Sequence, residues 1–252
     1  LQGWIQGGAI TISLTQGSLQ NWAAGGDNFS LALNGLVNVF ANYKKDKNRW
    51  DNNLIMSYGM LKTTSLGMRK TDDNFDITSK YGHQISPKWD IGALADFRTQ
   101  FANGYLYPDD STIASHGFAP AYALLALGFN YQPASYFYIF LSPLTSRLVI
   151  VTDQRLADEG AYGVDSATYK YNTDGTRTKI TSGKKISYQL GAYASAQFSK
   201  DIATNINWTT RLDLFSNYLK NPQDLKVYWT SILALKVNKL ITANLDLNLI
   251  YD

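Results

Sequence analysis

Residues 28–44 read NFSLALNGLVNVFANYK, and this stretch decides the fold class. Its odd-numbered positions are mainly apolar: Phe29, Leu31, Leu33, Gly35, Val37, Val39, Ala41 and Tyr43. The positions between them are mostly polar or small. Successive side chains of a β-strand point to opposite faces, whereas a helix would spread both sets around its circumference. The stretch therefore predicts a strand with one apolar and one polar face, far longer than the usual strand of about five or six residues.

Ten further segments repeat this alternation, so the sequence predicts an all-β chain of eleven strands. These segments are residues 9–19, 50–62, 74–84, 89–101, 122–132, 136–151, 186–198, 206–218, 226–237 and 241–251. Short turns are predicted near residues 45–49, 86–88, 133–135, 200–205 and 238–239. Long polar connections are predicted near residues 20–27, 63–73, 103–121, 152–184 and 221–225. Outer-membrane barrels alternate short periplasmic turns with longer outer loops. We therefore expect a single antiparallel transmembrane β-barrel domain over residues 1–252, located in the bacterial cell outer membrane.

The composition excludes several classes of protein. The 252 residues contain no cysteine, which excludes disulfide scaffolds, zinc fingers and thiol catalysis. With 23 basic and 20 acidic side chains the net charge is only +3, so we expect no nucleic-acid partner. The longest nearly apolar run, residues 121–129, is about half of the roughly 20 residues that a membrane helix needs.

Aromatic residues flank the short turns, at positions that face the apolar side of their strands. This set comprises Tyr43, Trp50, Trp89, Tyr131, Tyr136, Phe198 and Trp208. An aromatic ring at the periplasmic interface buries its body in lipid and keeps its polar edge in water, and barrels carry girdles of such rings. The sequence thus predicts a periplasmic aromatic girdle, with an ordinary aromatic core at the strand ends as the alternative.

Charged side chains occupy the opposite face of the strands, which is expected to face the lumen of the barrel. They are Asp76, Lys80, Asp96, Arg98, Arg211, Asp213 and Asp246. Such charges either form a selectivity lining or pair with one another and fill the narrow lumen of a small barrel. Arg98 lies two residues from Asp96, and Arg211 two residues from Asp213, so pairing along each strand and a filled lumen are favoured over an open permeation path.

Eleven strands are an odd number, whereas bacterial single-chain barrels have an even number. An open edge in lipid would leave backbone donors and acceptors unpaired. We therefore expect a twelfth strand that is absent from this sequence. The alternatives are that residues 136–151 split into two strands around Pro143, or that a partner closes the edge.

Several segments resemble an uncharacterised family of outer-membrane barrels from Bacteroidota, a domain of unknown function. They are LQNWAAGG (19–26), ANYKK (41–45), RKTDD (69–73), YLYPDD (105–110), FLSPLT (140–145) and LFSNYL (214–219). The resemblance runs along nearly the whole chain. It implies one further strand after the position of Asp252, ending in an aromatic residue. It does not indicate an activity or any catalytic residues.

The sequence contains few residues that could catalyse a reaction or bind a metal ion. His83 lies beside a short turn, and His116 directly follows Ser115 in a predicted outer loop, where adjacent residues do not normally form a nucleophile–base pair. Asp109-Asp110 and Asp72-Asp73 suit either calcium or ordinary turn capping, and turn capping is favoured. We expect no enzymatic activity, no catalytic residue, no metal site and no cofactor.

The connection at residues 152–184 is long enough to act as a lid or to bind a partner. A hairpin over residues 169–180, with its turn at Asp174-Gly175, is the favoured alternative.

Two functions remain open at this point. The first is a narrow, porin-like channel or facilitator for a small solute or an apolar molecule. The second is a non-catalytic structural or accessory subunit of a larger outer-membrane complex. The expected partners are outer-membrane lipid and other outer-membrane proteins. A soluble all-β barrel or sandwich is the alternative fold.

Overall fold

The computed structural model describes residues 2–19, 26–236 and 242–251. The chain is all-β, with one short helix and one 3-10 turn at Ala161–Gly163. The elements in chain order are β1 (Gly3–Ser18), β2 (Phe29–Lys45), β3 (Asn48–Thr63), β4 (Gly67–Ser86), β5 (Trp89–Thr99), β6 (Gly104–Tyr105), β7 (Ile113–Ser115), β8 (Ala121–Ala134), β9 (Phe137–Ile150), α1 (Gln154–Asp158), β10 (Thr168–Tyr171), β11 (Arg177–Thr181), β12 (Ile186–Ala203), β13 (Ile206–Asn217), β14 (Leu225–Lys236) and β15 (Thr242–Tyr251).

Eleven of these strands form one antiparallel sheet, in the order β1-β2-β3-β4-β5-β8-β9-β12-β13-β14-β15. The prediction of eleven antiparallel strands is confirmed. A sandwich of two stacked sheets is not what the chain forms, because all eleven strands belong to a single sheet. Within the described residues β1 and β15 are the two edges and do not pair with each other. The predicted turn at residues 238–239 lies outside the described residues.

Three strands are clearly longer than the alternation predicted. β12 ends at Ala203, not at residue 198, so the turn predicted over residues 200–205 is confined to residues 204–205. β1 begins at Gly3, not at residue 9, and β4 begins at Gly67. The long connection predicted over residues 63–73 is therefore wrong, since only residues 64–66 form the turn between β3 and β4. The charged run that suggested a loop fits in a strand because Lys70 and Asp73 form an ion pair at 2.7 Å. A bulge opposite Gly59 adjusts the register between the two strands.

Pro143 does not split β9, so that alternative is wrong. Proline lacks a backbone donor and is accommodated in sheets at bulges. The register of β9 shifts here against both neighbours, between Leu127 and Phe129 of β8 and between Gly191 and Tyr193 of β12. Ser142 stabilises the bulge, because its hydroxyl donates to the carbonyl oxygen of Leu127 at 2.8 Å.

The two faces of the sheet differ as the alternation predicted. On the apolar face large side chains are exposed, among them Ile12, Leu33, Ile91, Leu127 and Leu247. On the polar face a cluster of buried side chains packs together: Ala126, Phe140, Tyr193 and Phe215, with Leu94, Leu124 and Tyr138 against them. This cluster combines side chains from β5, β8, β9, β12 and β13, as expected for the concave side of a curled sheet.

The long connections at one end fold into a compact unit, which we call the loop cap (residues 103–120 and 152–184). Leu156, Ala157 and Val164 of the cap pack on Val149 and Tyr122 of the sheet. The two connections are joined by the Tyr162 hydroxyl, which donates to the Ala114 carbonyl oxygen at 2.7 Å, and by a hydrogen bond from Arg155 to the carbonyl of Ile113. The predicted hairpin is confirmed as β10 and β11, with Gly175 in its turn at a φ of 82°. No helix in the described part of the chain is long and apolar enough to cross a membrane.

Candidate functional site

The first group of charges lies on β4 and β5. Asp76 and Arg98 are direct cross-strand partners, and Arg98 Nε is 2.9 Å from Asp76 Oδ2. The Thr78 hydroxyl donates to Asp96 at 2.9 Å. The expected pairing of Arg98 with Asp96 is wrong, because residues directly opposite on adjacent strands are closer than residues i and i+2 on one strand. Arg98 remains 56% exposed, whereas its partner Asp76 is only 18% exposed.

The second group lies on β12 and β13. Arg211 Nε is 2.9 Å from Asp213 Oδ2, so these two residues pair along one strand as expected. The Tyr193 hydroxyl donates to Asp213 Oδ1 at 2.8 Å and accepts from Arg211 at 3.3 Å. Here too the guanidinium side chain is exposed, at 52%, and the carboxylate is not, at 19%. In each group the cation is thus more exposed than the anion that it pairs with.

Lys80 lies on β4, four residues from Asp76, and belongs to neither ion pair. Its Nζ lies 3.5 Å from the centre of the Tyr138 ring, on a strand three positions away in the sheet. The Tyr138 hydroxyl in turn donates to Asn130. The last predicted lumen charge is Asp246. Its backbone pairs with that of Ile232 in β14, and its side chain is not among those that the structure describes.

Sequence reasoning missed four polar-face residues that belong to the same network. Arg49 bonds Asp90 at 3.1 Å, and Arg147 donates to Gln189 at 3.3 Å. Arg147 also lies 5.9 Å from the centre of the Phe215 ring. All four residues point to the polar face of the sheet, so the alternation of polar and apolar residues along each strand was sufficient to identify them.

A cavity of about 350 Å³ opens at the short-turn end of the polar face. Its basic lining residues are Lys44, Lys47, Arg49 and Lys88, and its acidic ones are Asp46 and Asp90. Since Arg49 already pairs with Asp90, the cavity has an excess of positive charge. We call this cavity the vestibule; its lining comes from the short-turn ends of β2, β3, β4, β5 and β8.

All seven residues of the predicted girdle lie at the short-turn end, and they form three aromatic groups. The ring centroids of Trp89 and Tyr131 are 4.6 Å apart, and Phe198 contacts Tyr136 at 5.7 Å and Trp208 at 5.2 Å. The third group contains Tyr43 and Trp50, joined by Trp4, whose ring centroid lies 5.2 Å from Tyr43 and 5.7 Å from Trp50. Trp4 was missed because the first strand was predicted to begin at residue 9. The interfacial role of the girdle stays a prediction.

The histidines do not assemble a reactive centre in the described residues. The Ser115 hydroxyl donates to Gln100 at 3.1 Å, while His116 Nδ1 lies 3.1 Å from the carbonyl oxygen of Gly117. His83 contacts Asn48 at 2.9 Å beside a short turn. No group of three or more potential metal ligands occurs among these residues. The expected lack of enzymatic activity stays a prediction.

The acidic pairs cap backbone amides. Asp109 accepts from the amide and hydroxyl of Ser111, at 2.8 and 2.6 Å, and hydrogen bonds from Ser111 and Thr112 hold the pKa of Asp109 below its usual value. Asp73 lies inside β4 and not in a loop, and it accepts from the amides of Phe101 and Ala102 at 2.9 and 2.8 Å. These bonds explain why β5 ends at Thr99, before the predicted residue 101.

Within the loop cap, Asp158 joins α1 to the β10–β11 hairpin. It accepts from Lys179, from the amide of Gly183 at 2.8 Å and from Gln154 at 2.9 Å. These bonds, with that from Lys179 the strongest, lower the pKa of Asp158 to about 2. The cap is therefore built around a charged carboxylate at neutral pH.

Comparisons with known proteins give a family match and a structural likeness. Residues 14–105 match the profile of a family described as a protein of unknown function (DUF3078). None of the curated proteins compared with the chain matches it. The crystal structure of the COG4313 outer membrane channel from Pseudomonas putida F1 is similar over 100% of this chain and 89% of that one, with a TM-score of 0.42 and 10% sequence identity. The resemblance to barrels of Bacteroidota stays a prediction. The family match spans β2 to β5 and so includes the Asp76–Arg98 group.

Proposed function

We propose that this protein is an outer-membrane β-barrel with a narrow, water-accessible lumen through which a small solute passes. The observation that carries the proposal is the exposure of Arg98 and Arg211 on the concave polar face, beside the packed cluster that contains Phe140 and Phe215. A face that was entirely filled would cover both guanidinium groups.

The apolar face supports a location in lipid. The shortest strand of the sheet, β15, has 10 residues, and a strand that crosses a membrane needs about 9–11. Exposed Ile, Leu and Val side chains cover this face from one edge of the sheet to the other. In water such a surface would be a site of aggregation. The aromatic girdle marks the periplasmic boundary, where Trp50 Nε1 also donates to Ser79 at 2.8 Å.

Closure of the barrel requires a further strand. In the part of the chain that the structure describes, β1 and β15 each have an unpaired edge, and each unpaired backbone group in hydrocarbon costs several kcal/mol. A twelfth strand that pairs with both edges gives the even number typical of bacterial barrels. In this proposal the protein has no enzymatic role, no cofactor and no nucleic-acid partner, and its immediate partner is outer-membrane lipid.

Planar-bilayer conductance of the complete natural protein tests the proposal. We expect small discrete steps, because the Lys80–Tyr138 contact and the Phe140 cluster narrow the lumen. Arg98→Glu is expected to change the step size, because it reverses an exposed lumen charge. Lys170→Glu is the matched control, since Lys170 lies exposed on β10 of the loop cap, away from the polar face. A correctly folded barrel that stays silent would refute the channel.

A silent barrel would favour the second candidate, a structural or accessory subunit of an outer-membrane complex. The loop cap supports this alternative, because its apolar core is fully formed and covers one end of β8 and β9. Co-purification of the native protein with a defined partner after detergent extraction would be the decisive observation.

A further inference from the structure

In the Arg98–Asp76 and Arg211–Asp213 ion pairs of the polar face the cation is more exposed than the anion, and we infer that the lumen selects small oxyanions, such as carboxylates and phosphates. This inference rests on the proposed channel and names the class of solute that it passes. It depends on the geometry of the two ion pairs, because a simple count of the charges on the polar face is nearly balanced.

The exposed part of each ion pair is the guanidinium. Asp76 and Asp213 are 18% and 19% exposed beside Arg98 and Arg211, and Asp213 also accepts a hydrogen bond from the Tyr193 hydroxyl at 2.8 Å. A solute in the lumen therefore meets the cation and not the anion. The carboxylates act as anchors that hold the guanidinium groups in place.

Arg98 keeps donors available for a ligand. Its Nε bonds Asp76, and in the described structure its two terminal nitrogens form no hydrogen bond with protein. Arg211 uses Nε on Asp213 and one terminal nitrogen on Tyr193, which leaves the other. A guanidinium with free terminal nitrogens matches the planar geometry of carboxylate and phosphate oxygens.

Two further features add positive potential along the same path. The Nζ of Lys80 rests on the Tyr138 ring, and among the described residues it forms no ion pair with a carboxylate. The vestibule is lined by four basic residues and two acidic ones, of which Asp90 is held by Arg49. Clefts lined by one sign of charge raise the local concentration of the opposite ion, and rings of Arg and Lys line anion pores.

Reversal potentials across a bilayer with a KCl gradient test the inference on the complete protein. We expect chloride to be preferred over potassium by roughly tenfold, and phosphate added to the bath to reduce the chloride current. In the double variant R98Q/R211Q the preference is expected to fall toward one and the phosphate block to weaken. The control K170Q, on the loop cap, is expected to keep both.

The outcomes separate the inference from the function on which it rests. A conducting barrel that prefers potassium, or a double variant with unchanged selectivity, overturns the anion path and leaves the channel intact. A folded barrel without conductance overturns both. Heat-modifiable migration in gels establishes that each variant has folded before its current is measured.

Discussion

Asp73 is the residue whose removal we expect to destabilise the sheet most. Its side chain is 2% exposed, lies 2.7 Å from Lys70 Nζ and accepts from the amides of Phe101 and Ala102. Asp73→Ala removes all three interactions at once. Breaking a buried ion pair by deleting one partner costs about 3–5 kcal/mol. Because the three bonds share one carboxylate, their costs do not add, and we expect a loss of about 3–5 kcal/mol in total.

Equilibrium urea unfolding in lipid vesicles, followed by tryptophan fluorescence, measures this loss. Asp73→Asn keeps one acceptor for the two amides but not the charge, so we expect an intermediate loss of about 2 kcal/mol. Asp72→Ala is the control, because the neighbouring side chain is exposed and its removal should change the free energy of unfolding by less than about 0.5 kcal/mol. A loss below about 1 kcal/mol for Asp73→Ala would refute the view that this carboxylate anchors the end of β5 to β4.

Two further predictions concern the girdle and the loop cap. In single-tryptophan variants that retain Trp50 or Trp89, lipids brominated near the headgroup should quench fluorescence more than lipids brominated at the chain end; equal quenching would contradict an interfacial girdle. The lowered pKa of Asp158 means that its contribution to cap stability is complete above its ordinary value near 3.8 and is lost as the pH falls through about 2. Pepsin cleavage of the cap should therefore accelerate between pH 4 and pH 2, and this acceleration should be smaller in Asp158→Asn when both are compared with an unfolded substrate at each pH.

The strands were predictable because the alternation of polar and apolar residues is a local property of the sequence. The prediction of strand ends failed where glycine or charged residues interrupt that alternation. At the start of β1, Gly3, Gly7 and Gly8 weaken the contrast between the two phases, so the strand and its Trp4 were placed too late. In β4 the run at residues 69–73 was too charged to read as strand, since the partners that neutralise it lie elsewhere in the chain or three residues away.

The candidate site was predictable only in part. The alternation along each strand places Arg98 and Arg211 on the polar face. Their partners, however, depend on the register between neighbouring strands, which the sequence does not specify. Only the register between β4 and β5 shows that Arg98 faces Asp76 and not Asp96. Which member of each pair is exposed depends on packing around it, including the Tyr193 hydroxyl that covers Asp213. The anion path could not be inferred from the list of charges.

The order of the sheet has a consequence for the way the chain folds. Every strand of the main sheet pairs with the sheet strand that precedes it in the chain, so each step closes a loop between sequence neighbours and the entropic cost of closure stays small. Only the β5–β8 and β9–β12 steps span longer connections, and there β6–β7 and β10–β11 shorten the effective loop by forming hairpins of their own. The sheet thus has a low contact order for an all-β protein and can grow one hairpin at a time. In the proposed barrel, closure of the sheet at β1 is then the single event that brings distant parts of the sequence together, and we expect it to limit the rate of folding.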